Sequence, residues 1–134
     1  MPLPVTAFVA AVCAIMLVIT AIDTIRTRLR LKVAFGDGAD TKLIAATRAH
    51  GNLAEHAPIV ILLLGLLEMA KANHMGLMAI GALFLVGRVA HIFGMHAVHQ
   101  PGKAPVPRQI GVVLTFLTIL ALSGWTLFLL ATRN

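Results

Sequence analysis

The sequence predicts an all-α membrane protein, a bundle of four transmembrane helices with no residues left over for a soluble domain. Three observations carry that reading. The 134-residue chain is 59% hydrophobic and 12% charged with mean hydropathy +0.93, far from the composition of a water-soluble domain. Four apolar runs are each long enough to cross a hydrocarbon core of about 30 Å at about 1.5 Å per residue. Basic residues gather in two of the three loops between those runs, as they do when loops sort by side of the membrane.

The first run, Pro4 to Ile22, is uncharged and built of Val, Ala, Ile, Leu and Met. With no basic residue ahead of it and no polar region with a small-residue cleavage site behind it, it reads as a retained span, not a removable signal peptide. The second run goes from about Ala49 to Met69, the third from about Met75 to Gly94 and the fourth from about Ile110 to Ala131. Loop one, Asp23 to Thr47, is long and carries Arg26, Arg28, Arg30, Lys32 and Lys42. Its Gly36-Asp37-Gly38-Ala39-Asp40 segment breaks the continuation of helix one, and Asp40 or Thr41 can cap helix two before it enters the bilayer. Loop two, around Lys71 to His74, is a tight turn. Loop three, His99 to Arg108, holds Pro101, Pro105 and Pro107 beside Lys103 and Arg108, so it cannot be helical throughout.

The net charge of +6 and pI near 10.9 do not indicate nucleic-acid binding, because there is no Tyr, one Trp, and no basic stretch interleaved with aromatics. The positive-inside bias accounts for the charge instead: loops one and three face the cytoplasm and both termini the far side. Arg26, Arg28, Arg30 and Lys32 are then juxtamembrane anchors attracted to anionic lipid. The single cysteine, Cys13, lies inside the first apolar run, which excludes an intrachain disulfide or a paired-thiol site. Six histidines invite a metal, with His91, His96 and His99 close in sequence. The chain lacks any HExxH or ExxH pair, and no metal is expected. His74 falls in a turn, and His50 is expected to pack opposite the stripe described next.

Arg48, Asn52 and Glu55 recur at i, i+4 and i+7, one narrow face of an otherwise apolar helix two. An ionisable group at membrane depth costs on the order of 3 kcal/mol, so it should face protein or water and find a partner. An ion pair of Glu55 with Arg48 or Arg88 that merely holds the bundle satisfies that requirement. So does a ligand site. On helix three, Arg88 and His91 stand at i and i+3 near the cytoplasmic end, the side from which helix two enters. The antiparallel hairpin should bring these five residues to similar depth with a surplus of positive charge. Arg forks suit carboxylates, Asn offers donor and acceptor, and Glu takes an ammonium, an inventory that fits a small zwitterionic, net-anionic peptide. Ala90, Gly94 and Ala97, at i, i+4 and i+7, are expected on the opposite side of helix three as a close-packing face, with intrachain packing the default. Pro58, three residues after Glu55, permits a kink.

At these residues the sequence resembles the MAPEG family, membrane-associated proteins of eicosanoid and glutathione metabolism that include microsomal glutathione transferases and leukotriene C4 synthase. Arg48-Ala49, Asn52, Glu55 and Pro58 reproduce the RAxxNxxExxP pattern of its second helix, and Arg88 with Gly94 matches the third-helix arginine and the glycine after it. Gly36-Asp37-Gly38 and Arg48-Ala49-His50 look most like the bacterial branch. The resemblance implies a left-handed four-helix bundle assembled as a homotrimer in the bacterial inner membrane, with glutathione as co-substrate held between subunits by Arg48, Asn52, Glu55 and Arg88. Where many relatives place Tyr, this chain has His56 and His91, which also donate hydrogen bonds and take those positions in the ligand set. The family stabilises the glutathione thiolate with a basic residue near the cytoplasmic helix ends. Arg108, at the start of helix four, is the expected catalytic residue, with Lys103, Arg28 and Arg30 as alternatives. A thiol of ordinary pKa near 8.5 needs only a modest shift to ionise at neutral pH.

The implied activity is attack of the glutathione thiolate on a lipophilic electrophile, or reduction of a lipid hydroperoxide, drawn from the bilayer. Two other readings stay open on sequence alone. A small proton-coupled exporter would use Glu55 as its membrane carboxylate, although arginines around Glu55 repel a cationic cargo. A glutathione-binding protein without turnover would keep the site and lack the tyrosines.

Overall fold

The computed structural model describes residues 1–97 and 102–132. Its regular structure is entirely helical: α1 (Pro4–Leu31), α2 (Thr41–Met69), α3 (His74–His96) and α4 (Val106–Thr132). All four are long and apolar enough to cross a membrane. Each extends past its apolar run where polar residues continue the helix. α1 goes on from Ile22 through Arg26, Arg28 and Arg30, and its 28 residues span about 42 Å, well beyond the hydrocarbon core.

Local chemistry sets the ends. Pro4 occupies the first turn of α1, where a missing amide costs nothing. At the other end Lys32 adopts a left-handed conformation (φ 57°) and the amide of Val33 closes onto the Arg28 carbonyl. Arg28 Nη1 also donates to the Gly36 carbonyl at 2.8 Å, folding loop one back on its helix. Asp40 caps α2, its Oδ1 accepting from the amides of Lys42 and Leu43 at 2.9 Å each. Asn73 caps α3 through Gly76. α2 continues through Pro58 without a break, so the carbonyl of Ala54 lacks its usual amide partner at that turn. α4 starts four residues before its apolar run, with Pro107 accommodated in the first turn.

α2 and α3 form the centre. α2 packs against the other three helices and α3 does the same, while the backbones of α1 and α4 do not approach closely. The apolar core runs between Val5, Val9, Cys13 and Met16 of α1, Leu53, Ala57, Val60 and Leu64 of α2, Leu77 and Phe84 of α3, and Leu122 of α4. The outward faces, such as Phe8, Ile15 and Ile19 of α1 and Phe116, Leu120 and Phe128 of α4, are exposed. Large apolar faces in that position are what lipid contact requires.

Two polar ties join helix ends across the bundle. At the end remote from loops one and three, the Glu68 carboxylate accepts from the Val5 amide (3.0 Å), the Thr6 amide (2.9 Å) and the Thr6 hydroxyl (2.7 Å). A side chain of α2 thereby satisfies the free amides at the start of α1. At the opposite end, His96 Nε2 meets Asp23 Oδ2 at 2.9 Å, and it is the one salt bridge among the described residues.

Candidate functional site

Arg88 is the centre of the polar cluster. It is 1% exposed, buried among apolar helices, and no carboxylate pairs with it among the described residues. Its donors go to neutral oxygens on two other helices. Nη1 donates to Asn52 Oδ1 of α2 at 2.5 Å, and Nη2 donates to the Gly111 carbonyl of α4 at 2.9 Å and to the Thr115 hydroxyl. Thr115 in turn donates its proton to Gly111 O at 2.7 Å, the usual i−4 bond of a helical threonine. Its lone pairs are therefore what it offers to the guanidinium. The Phe84 ring lies 5.7 Å from the guanidinium carbon, within range of a cation–π contact. Nε is buried without a partner.

This arrangement depends on the close approach of α3 and α4. A Cβ placed on Gly111 would lie 2.5 Å from His91 Cβ and 2.6 Å from the Gly87 carbonyl oxygen, and one on Gly94 would lie 2.7 Å from Arg108 Cα and nearer still to its amide nitrogen. The glycines let the two backbones meet, and the meeting brings Gly111 O within reach of Arg88. Gly94 is thus buried beside Gly87 and His91 on the α4-facing side of α3, not on a face opposite to them. The expectation that it serves intrachain packing holds; its assignment to the far side of the helix does not. An arc of buried residues from Leu77 through Phe84, Arg88 and His91 to Gly94 is wide enough to include it.

Around Arg88 stand the other predicted residues. Asn52 is half-buried, with its oxygen committed to Arg88. Arg48 and Glu55 share its face of α2, are exposed, and make no hydrogen bond or ion pair among the described residues. The ion pairs of Glu55 with Arg48 or Arg88 weighed on sequence grounds are therefore not formed within this chain. His56 Nδ1 lies 2.7 Å from the Asn52 carbonyl, which can only accept, so Nδ1 carries the proton and a neutral ring leaves Nε2 as an acceptor. Its ring is tilted against Phe116 of α4, centroids 6.0 Å apart. His91 is buried, and the charges of Arg88, Arg108 and Arg48 together with His56 converge on it. Arg108 is exposed in the first turn of α4 at that same end. The cluster is thus cation-rich, with free donors and one carboxylate on the open face of α2 and, behind them, a buried guanidinium whose two terminal nitrogens are bonded.

The remaining histidines are engaged separately. His50 Nδ1 is 2.9 Å from Thr20 Oγ1, which ties α2 to α1, and His96 pairs with Asp23. His99 lies outside the described residues. Among the described residues no group of His, Cys, Asp and Glu could hold a metal ion.

Sequence reasoning did not single out Gly111 and Thr115. Their only signal was a glycine and a threonine one turn apart on helix four, a pattern indistinguishable from ordinary packing.

Fold and site together define a polytopic membrane protein with an arginine buried between its central helices and a polar stripe on the open face of one of them. The chain belongs to the MAPEG family, which it matches over residues 6–128. It is similar to Inner membrane protein YecN of Escherichia coli, in both strain K12 and strain O6:H1, at 37% identity over 92 residues, 69% of this chain and 70% of the relative. No solved structure matches it.

Proposed function

We propose that the protein is a membrane-bound glutathione transferase or peroxidase that binds glutathione between subunits of a homotrimer and activates its thiol toward lipophilic electrophiles. The observation that carries this reading is the set of unspent groups on the open face of α2, Arg48, Glu55 and the outer half of Asn52, backed by the buried Arg88. In a chain of this family, a face that exposes a guanidinium and a carboxylate at the edge of an apolar bundle calls for a polar ligand or a facing subunit. Glutathione brings two carboxylates and an ammonium, which complement that inventory. Arg48, Asn52, Glu55, His56 and His91 form the binding set, Arg88 supports it from behind Asn52, and Arg108 stabilises the thiolate from the cationic end of the site. The chain lies in the bacterial inner membrane with loops one and three in the cytoplasm, where glutathione is available. The second substrate arrives laterally from the bilayer.

Calorimetry of glutathione binding to detergent-purified protein tests this, with Arg48→Ala and Glu55→Gln as variants and thiolate absorbance near about 240 nm as the second readout. Binding by the wild type that both variants lose, with a thiolate signal that Arg108→Ala abolishes, is the expected result. Absence of binding by the wild type refutes the reading. Proton release on adding a lipophilic cation, lost in Glu55→Gln, would replace it with an exporter.

A further inference from the structure

We propose that Arg88 is a positioning residue, held by Thr115 and the Gly111 carbonyl, that locks the Asn52 amide with its two N–H donors turned outward, so that the ligand group met at Asn52 is an oxygen acceptor. This deepens the glutathione reading and rests on it.

The argument is one of donor and acceptor inventory. A guanidinium has five N–H donors and no acceptor. The Asn52 atom facing Arg88 Nη1 must therefore be the oxygen, which removes the usual ambiguity in the orientation of an asparagine amide. The Nδ2 group is left on the other branch of the planar amide. It has no partner among the described residues and is not enclosed; in those residues Arg88 Nε is the one side-chain polar atom both enclosed and unpaired. Asn52 Nδ2 therefore opens on the same side as the exposed Arg48 and Glu55. A ligand ammonium or hydroxyl donor finds on this side chain only the second lone pair of an oxygen turned toward Arg88. A carboxylate or carbonyl oxygen finds two donors.

Arg88 itself is too deep to reach the ligand, at 1% exposure and with both terminal nitrogens occupied. Its orientation comes from α4. Thr115, also 1% exposed, has spent its proton on Gly111 O and presents only lone pairs to Nη2. Thr115 thus acts on the ligand at two removes, through Arg88 and Asn52, and helix four shapes the ligand contact at Asn52 without touching it there.

Three variants of the full chain test the assignment, each measured for glutathione affinity by calorimetry and for melting temperature in the same detergent. Asn52→Asp keeps the shape and gives Arg88 a counter-charge, so the protein should melt no lower than wild type, while affinity falls about 100-fold because an acceptor replaces the donors. Thr115→Val removes one acceptor from Arg88 and should weaken binding about tenfold, and Thr115→Ser should restore it to within about twofold. Retention of wild-type affinity by Asn52→Asp, or equal affinity of Thr115→Val and Thr115→Ser, overturns the assignment while leaving the glutathione reading intact. Should Thr115→Val not fold, Asn52→Asp decides alone. Failure of the wild type to bind glutathione overturns the functional reading and this inference with it.

Discussion

Replacing Gly111 by alanine should separate α3 from α4 and loosen the site in the same step. The added methyl carbon would stand 2.5 Å from His91 Cβ, 2.6 Å from Gly87 O and 2.8 Å from His91 Cα. None of these atoms belongs to the flexible end of a side chain, so a rotamer change gives no relief. Restoring a carbon contact of about 3.5 Å requires the helices to move apart by about 1 Å. Over-packing of that kind costs about 1–3 kcal/mol. The same displacement stretches the 2.9 Å bond from Arg88 Nη2 to Gly111 O beyond hydrogen-bonding range, adding about 1 kcal/mol for a charged donor left short of an acceptor. The sum, about 2–4 kcal/mol, corresponds to a fall in melting temperature of roughly 10 °C for a chain of this size. Thermal unfolding followed by circular dichroism in detergent measures it. Gly124→Ala is the control, since a Cβ there meets nothing within 4 Å and should leave the melt unchanged or slightly higher. A Gly111→Ala melt within about 2 °C of wild type would refute the close approach of the two helices.

Further outcomes follow from other residues. Glu55→Ala should leave the melt within about 0.5 kcal/mol of wild type, because the carboxylate is exposed and unpaired within the chain, while abolishing glutathione binding; calorimetry and thermal unfolding on one preparation separate the two effects. Glu68→Ala leaves the Val5 and Thr6 amides and the Thr6 hydroxyl without their acceptor and should cost about 1–2 kcal/mol by chemical denaturation. Asp23→Asn, which breaks an ion pair whose side chains are 39% and 45% exposed, should change stability by no more than about 0.5 kcal/mol. Gly76→Ala forces the sole tryptophan aside, since the new methyl would meet the Trp125 ring at 2.8 Å, and a shift in Trp emission reports the movement.

Apolar runs reveal helices in a membrane protein because one physical requirement, the thickness of the hydrocarbon core, fixes their length. Four runs therefore gave four helices. Their ends were less legible, because hydropathy falls silent where a helix leaves the bilayer. Residues Asp23 to Leu31 and Thr41 to Arg48 are polar and helical, and only the capping signal at Asp40 marked where α2 begins. The stripe Arg48, Asn52 and Glu55 could be placed on one face from spacing alone, and the hairpin of α2 and α3 placed Arg88 at the depth of Asn52. What spacing could not supply was the partner of Arg88. Charge complementarity pointed to Glu55, whereas the terminal nitrogens bond neutral oxygens, two of which become available only through the glycine-mediated approach of α4. Backbone carbonyls leave no trace in a sequence. The place of Gly94 on the helix wheel was misjudged for a related reason: the buried arc of α3 is broadened by contact with three helices at once.

The distribution of Arg88's acceptors along the chain bears on how the protein is made. Asn52 precedes α3, but Gly111 and Thr115 lie 23 and 27 residues after Arg88. When α3 leaves the ribosome and meets the membrane, its arginine carries an insertion penalty of up to about 3 kcal/mol while two of its three acceptors are still inside the ribosome. Lateral release of α3 into lipid is then unfavourable until α4 arrives, and the last two helices enter as a pair. A chain that stopped between them would leave the arginine of α3 without the two oxygens that α4 supplies.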